Sequence, residues 1–239
     1  MRKAPAGPPA EQGRSGAGAG RPGRRRLPLQ PVGTRRFLVL ACTDDVPAVD
    51  LASGALVRLQ VTWEEERPPD LSPFDVIDAV VAADPECDDL AQPEAITVEG
   101  IPDGVGSLRG RRARTVLRHL VAPTEDHLLG FPGTSSPYWE FHGMRPSVAL
   151  VVPLRGPLLF RRRADESVWA RFGGPRSDNW LPVEDRRAIA ALWAGRRDRL
   201  SGKDLAAALG FKPHYLVVAL SAPRSGYCYK TVAAFLPRP

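Results

Sequence analysis

The chain closes on KTVAAFLPRP (230–239), and at 114–123 it reads RTVLRHLVAP, with Thr115–Val116 standing to Thr231–Val232 at an offset of 116 residues. Working outward, Leu71 and Leu181 begin similar segments, Pro47 and Pro157 stand at the same offset as that pair, and Arg58–Leu59 corresponds to Arg171–Phe172. Drifting offsets of this kind are what loop insertions produce. The reading is an internal duplication, with the unit β-hairpin–helix–β-hairpin occurring twice around a connector. Each copy is too short to bury much surface alone, so the two would close a shared seam, where ligands often bind.

Local patterns supply the elements. RFLVLAC (36–42) is a short apolar strand, and PAVDLASGALVRLQVTW (47–63) reads as two strands turning at Ser53–Gly54. In the second of these, Val57, Leu59, Val61 and Trp63 alternate with Arg58, Gln60 and Thr62, the period-two pattern of a half-buried strand. LSPFDVIDAVVAAD (71–84) carries helix-start chemistry, with Ser72 as N-cap, Pro73 at the first position and Asp75 reaching back, and it predicts a helix. EAITVEG (94–100) and ARTVLRHLVAP (113–123) predict strands, separated by a loop rich in Gly and Arg.

In the second copy, SVALVVP (147–153) lacks alternation and predicts a strand buried on both faces. GPLLFRRRADESVWARF (156–172) predicts a hairpin turning near Ala164–Asp165, LPVEDRRAIAALWAG (181–195) a helix stopped at Gly195, and SGKDLAAALG (201–210) a second helix. HYLVVAL (214–220) and GYCYKTVAAFLP (226–237) predict a closing hairpin. The fold class is α+β: two mainly antiparallel sheet units with covering helices, related by duplication and preceded by a disordered N-terminal tail. The expected division is a disordered basic tail at 1–35, a first α+β unit at 36–123, an aromatic connector at 124–146, and a second α+β unit at 147–239.

Charge supports that division. Residues 1–36 hold nine basic side chains and one acid, a balance of +8 against +6 for the whole chain, which leaves −2 for residues 37–239. The tail, dominated by Pro, Gly, Ala and Arg, buries too little to offset its ordering entropy. It reads either as a solvated tail or as a basic arm that meets nucleic acid through phosphate neutralisation, and the former is preferred. Only four of the 33 basic residues are lysine, a skew with Ala, Pro and Gly that points to base composition rather than to phosphate binding. No stretch approaches the ~18 apolar residues that would suggest a membrane span. The three cysteines, Cys42, Cys87 and Cys228, form neither a disulfide framework nor a zinc pattern, which suits a reducing, cytoplasmic setting.

The connector TEDHLLGFPGTSSPYWEFHGMRP (124–146) concentrates the residues that could carry chemistry. Its rings suit a pocket wall, so the expected binding residues are His127, Phe131, Tyr138, Trp139 and His142, against the plainer alternative of an aromatic belt packed as core. Ser135 or Ser136, His127 or His142, and Asp126 or Glu140 supply the residue types of a hydrolytic triad without its strand–turn–helix setting. His119, His127 and His142 lack metal-ligand spacing, and GIPDGVGSLRG (100–110) lacks the third glycine of a dinucleotide loop, so no metal and no cofactor is expected. The arginine clusters at 109–118 and 161–163 read as solvated loop residues, and Tyr227 and Tyr229 should share a face opposite the Cys228 thiol. The favoured function is a binding or protein-interaction protein working through the junction of its halves, its partner a protein or small molecule. The alternatives are a small hydrolase or transferase using His127 or His142, and a nucleic-acid accessory protein using the basic arm.

Overall fold

The computed structural model describes residues 27–61, 71–82, 90–122, 127–141, 145–175, 177–195 and 197–239. Residues 1–26, which hold most of the expected tail, lie outside these, while residues 34 and 35 already belong to the first strand. Among the described residues the chain is mainly β, with thirteen strands in three sheets and three helices.

Strands β1 (Thr34–Val39), β2 (Val46–Asp50), β3 (Leu56–Val61), β4 (Asp75–Val81) and β5 (Ala95–Ser107) close a barrel in the order β1-β2-β3-β5-β4. Every pairing is antiparallel except β3 with β5. Alternation fills the interior with Phe37, Val39, Val46, Ala48, Val57, Leu59 and Ile77. The intervening Leu38, Leu40, Val49 and Val76 point outward, into a second apolar cluster. This explains the unbroken run FLVLA: β1 is buried on both faces. A closed five-stranded barrel is an architecture shared with oligonucleotide-binding OB-folds, but architecture does not assign a ligand, and here the outer face of β1 and β2 is covered by the rest of the chain.

After α1 (Gly110–Leu117), β6 (Ser135–Pro137) and β7 (Val148–Val151), a hairpin β8 (Leu158–Arg161) and β9 (Val168–Gly173) leads to β10 (Asp178–Pro182), α2 (Arg186–Ala194), β11 (Arg199–Ser201), α3 (Gly202–Leu209), β12 (Pro213–Leu220) and β13 (Tyr227–Pro237). The sheet β6-β13-β12-β7 is the central layer. Val148, Leu150, Tyr215, Val217 and Ala219 meet the barrel. Ala149, Leu216, Val218, Leu220 and Phe235 meet the third sheet, β10-β9-β8-β11, and the helices α2 and α3. A strand buried on both faces has no polar alternation to display, and each fully buried aliphatic side chain contributes about 1.5–3 kcal/mol.

Polar contacts lock the barrel to the central sheet. The buried Arg58 guanidinium pairs with Asp45 and donates to the Leu220 carbonyl at 2.5 Å and to Ser147 Oγ at 3.3 Å. Ser147 in turn donates its backbone N–H and its hydroxyl to Glu94, at 2.7 and 2.6 Å. Arg58 occupies the outward register expected of it, but it faces protein rather than solvent, 3% exposed.

Three sequence expectations are corrected. Segment 71–84 contains the strand β4, not a helix: Ser72 N–H does donate to the Asp75 carboxylate, at 2.8 Å, but Phe74 sits at φ +73°, which ends any helical path and turns the chain into a β-branched strand. Segment 113–123 holds most of α1 rather than a strand. Ala113, Val116, Leu117 and Leu120 recur at helical spacing, and Ala113 and Leu117 are buried beneath it. The glycine-rich 100–107 continues β5 against β4, with register shifts that admit Gly104 and Gly106.

These corrections bear on the repeat. Thr115–Val116 lies in a helix and Thr231–Val232 in a strand, while the segments beginning at Leu71 and Leu181 form a strand and, beyond β10, a helix. The structure does not show the duplication. By contrast, the β2–β3 turn, β7, the β8–β9 hairpin, α3 with Gly210 left-handed at its end, and the β12–β13 hairpin all form where the sequence predicts them, and α2 forms over the later part of its predicted segment, 181–195, whose first two residues close β10 instead.

Candidate functional site

The connector roofs a cavity of about 440 Å³. One wall is β7, where Ala149 and Val151 point away from the barrel; another comes from around the β9–β10 turn, residues 173–175 and 177–181; the roof is the segment from His127 to Thr134. Leu129 makes the roof's corner with a left-handed backbone, φ +56°, and tucks its side chain into the core. Phe131 then packs edge-on against Phe141 at 5.7 Å, pinning both ends of the connector to the same cluster. The β9–β10 turn approaches closely because of its glycines: a Cβ on Gly173 would sit 2.7 Å from the Arg155 backbone nitrogen.

Lys230 is the buried cation of this site. It lines the cavity from β13 and is 2% exposed. Its ammonium donates to the carbonyls of Phe131 (2.6 Å) and Gly133 (2.9 Å) and lies 3.8 Å from the Phe131 ring centroid. No carboxylate among the described residues pairs with it. Burial pushes its pKa down to about 8, since the charged form loses water without gaining a counter-ion. Across the cavity, Asp178 is held by Arg155 at 2.5 Å and Arg171 Nε at 2.6 Å, which keep its pKa below the usual carboxylate range. The remaining surface is largely aliphatic, including Val121, Leu128, Val152 and Leu154.

The residues expected at a binding wall divide. His127 and Phe131 line the cavity. Tyr138 packs against the large core cluster. Trp139, 63% exposed, stacks edge-on with Tyr227 at 6.0 Å over the β12–β13 turn. His142 lies outside the described residues, as does Asp126. Ser136 donates to Glu140 at 3.1 Å, and β6 carrying Ser135 and Ser136 is paired to β13. Among the described residues no group of His, Cys, Asp and Glu is placed to hold a metal, and no helix is long and apolar enough to cross a membrane.

Sequence reasoning overlooked Lys230. Its signal was visible: a single lysine inside an otherwise apolar strand, in a chain that almost always uses arginine. The β9–β10 wall was also missed, because residues 173–180 lie between two predicted elements and were assigned none. Tyr227 and Tyr229 do share the outer face with Cys228 turned inward, and neither described cysteine forms a disulfide. The Cys42 thiol donates to the Leu71 carbonyl, and burial pushes its pKa up to about 11, far from a reactive thiolate. A smaller polar cleft of about 260 Å³ lies at the barrel–sheet junction, but Arg58 and Asp45 within it are already committed to each other. Comparison with protein-family models and with curated proteins finds no match to this chain.

Proposed function

We propose that this protein binds a small, mostly apolar molecule with one polar end in the cavity beneath the connector. The observation that carries the reading is the cavity itself. Its volume of about 440 Å³ falls within the roughly 300–1,000 Å³ of small-molecule sites, and its aliphatic walls carry a few convergent polar groups: Lys230, Asp178, Asn179 and His127. Within the division 36–123, 124–146 and 147–239, the working parts are the connector and the second unit. The barrel–sheet seam, packed with aliphatic side chains and locked by Arg58, is structural. The thiols of Cys42 and Cys228 suit a reducing compartment, and we place the protein in the cytoplasm.

The test is thermal unfolding in the presence of octanol, octanamide and octanoate, with wild type set against Val151→Trp, which narrows the cavity. A ligand at 100 times its Kd stabilises by about 2.7 kcal/mol, a rise in Tm of roughly 5–10 °C for a chain of this size. Wild type should rise and Val151→Trp should not. A flat wild-type response to all three probes, or equal shifts in a correctly folded Val151→Trp, contradicts the reading.

A second reading rests on a different surface. Arg109, Arg111, Arg112, Arg114 and Arg118 are all exposed on and around α1; among the described residues none pairs with an Asp or Glu side chain, while Arg114 donates to the Pro239 oxygen at 2.9 Å and Arg118 to His119 at 3.0 Å. Such a cationic helix suits a nucleic-acid backbone. Binding to single-stranded or duplex oligonucleotides that falls steeply with salt, and is lost in an R111E/R114E/R118E variant, would favour it; salt-insensitive binding or none would remove it.

A further inference from the structure

The cavity's most unusual property is its charge. A lysine ammonium is rarely buried without a carboxylate, because the loss of hydration costs several kcal/mol that a partner ordinarily offsets. Here the compensation comes from two backbone carbonyls and one aromatic face, which are dipoles and a quadrupole. They satisfy the N–H groups. They leave the unit charge in place.

The other charged groups around the site do not neutralise it. On the β9–β10 side, Asp178 is outnumbered by Arg155 and Arg171. On the β6 side, Glu140 accepts from Ser136, and on the β13 side Glu184 accepts from Thr231 at 3.1 Å. Among the described connector residues, Glu140 aside, the charged groups and imidazoles are His127, at the cavity wall, and Arg145, whose side chain approaches Gly130. Burial lowers the Lys230 pKa, and none of the described carboxylates lies within ion-pair distance of its ammonium. The described walls therefore present an uncompensated positive charge at low effective dielectric, where a unit charge is felt far more strongly than in water.

We propose that the cavity selects an anionic ligand, a small aliphatic or aryl monocarboxylate, with the Lys230 ammonium as its counter-charge. A single buried cation and an aliphatic lining match one negative charge on an apolar body better than a multiply charged phosphate. This inference rests on the cavity being a ligand site at all, and the experiment separates the two.

Isothermal titration at pH 8 compares octanoate with octanamide and octanol, in phosphate and in Tris, whose ionisation enthalpies differ. With Lys230 near half-protonated, an anion drives it to the charged form, so octanoate should bind with uptake of about half a proton and at least 10-fold tighter than octanamide. Lys230→Arg keeps a charge that does not titrate, so it should retain the carboxylate preference and lose the proton uptake. Lys230→Met should bind octanoate and octanamide alike. Equal affinities in wild type, or octanoate binding without proton uptake, overturn the charge assignment while leaving the cavity as a site. Failure of all three probes removes the site, and this inference with it.

Discussion

Replacing Arg58 with methionine keeps much of the side-chain volume and removes one guanidinium from the barrel–sheet seam. The change strips Asp45 of its counter-charge, leaving it the Thr43 hydroxyl at 3.2 Å, and leaves the Leu220 carbonyl, previously bonded at 2.5 Å, without its Arg58 donor. Ser147 stays bonded to Glu94, so the damage is confined to the Arg58 contacts. Removing one member of a buried pair typically costs about 3–5 kcal/mol, because the orphaned charge remains buried. Asp45 is 16% exposed at its side chain, so water reaches it and the lower end of that range applies. We therefore expect a loss of about 3 kcal/mol, or roughly 6–12 °C in Tm at 2–4 °C per kcal/mol for a chain of this length. Urea unfolding followed by both tryptophan fluorescence and far-UV circular dichroism gives the number. Coincident transitions would also show that barrel and sheet unfold together. A loss below about 1 kcal/mol, the range of exposed ion pairs, would refute the claim that this guanidinium locks the seam.

Asp185→Ala should cost about 2–3 kcal/mol, because one carboxylate oxygen caps α2 through Arg187 N–H at 3.0 Å and the other accepts from Phe235 N–H at 2.9 Å; Asp185→Asn, whose single carbonyl oxygen can replace only one of the two, should recover no more than about half of that loss in the same urea assay. Gly173→Ala should destabilise by about 1–3 kcal/mol and weaken probe binding together, since its Cβ collides with the Arg155 backbone beside the cavity. The folded-state pKa of Lys230 lies below its ordinary value, so the unfolded chain binds more protons between about pH 8 and the usual lysine range. Stability to urea should therefore rise with pH through that window, at about 1.4 kcal/mol for each pH step of one and by up to ~3 kcal/mol in all, with no such rise in Lys230→Arg.

What could be read from the sequence divides along physical lines. Hairpins and buried strands were legible because turn residues and apolar runs act locally: Ser53–Gly54 makes the β2–β3 turn, and SVALVVP is apolar throughout because β7 has protein on both faces. The β4 segment misled because Ser72, Pro73 and Asp75 form the same hydrogen bond in a turn as in a helix cap, and only the left-handed Phe74, set by tertiary contacts, decides between them. In α1 the opposite occurred. Thr115 and Val116 suggested a strand, whereas Leu117 and Leu120, packed in the same cluster as the central sheet, with Ala113 buried on the same face, made a helix. The apparent repeat rested first on Thr115–Val116 and Thr231–Val232, which are helix in one place and strand in the other. Of the residues that line the candidate cavity, the aromatic density of the connector singled out His127 and Phe131. Lys230 and the β9–β10 wall, which come to the cavity from 97 residues or more and from a separate sheet, were not, because their convergence is a property of the fold.

The central claim is that a ligand enters the space under the connector. Methyl-resolved NMR of Leu- and Val-labelled protein titrated with octanoate tests it most directly. The account predicts saturable shifts at Leu128, Leu129, Val151, Leu154 and Leu181, with the barrel-interior methyls of Val57 and Leu59 unmoved. Shifts centred on the barrel, or spread without saturation over the surface, would contradict it.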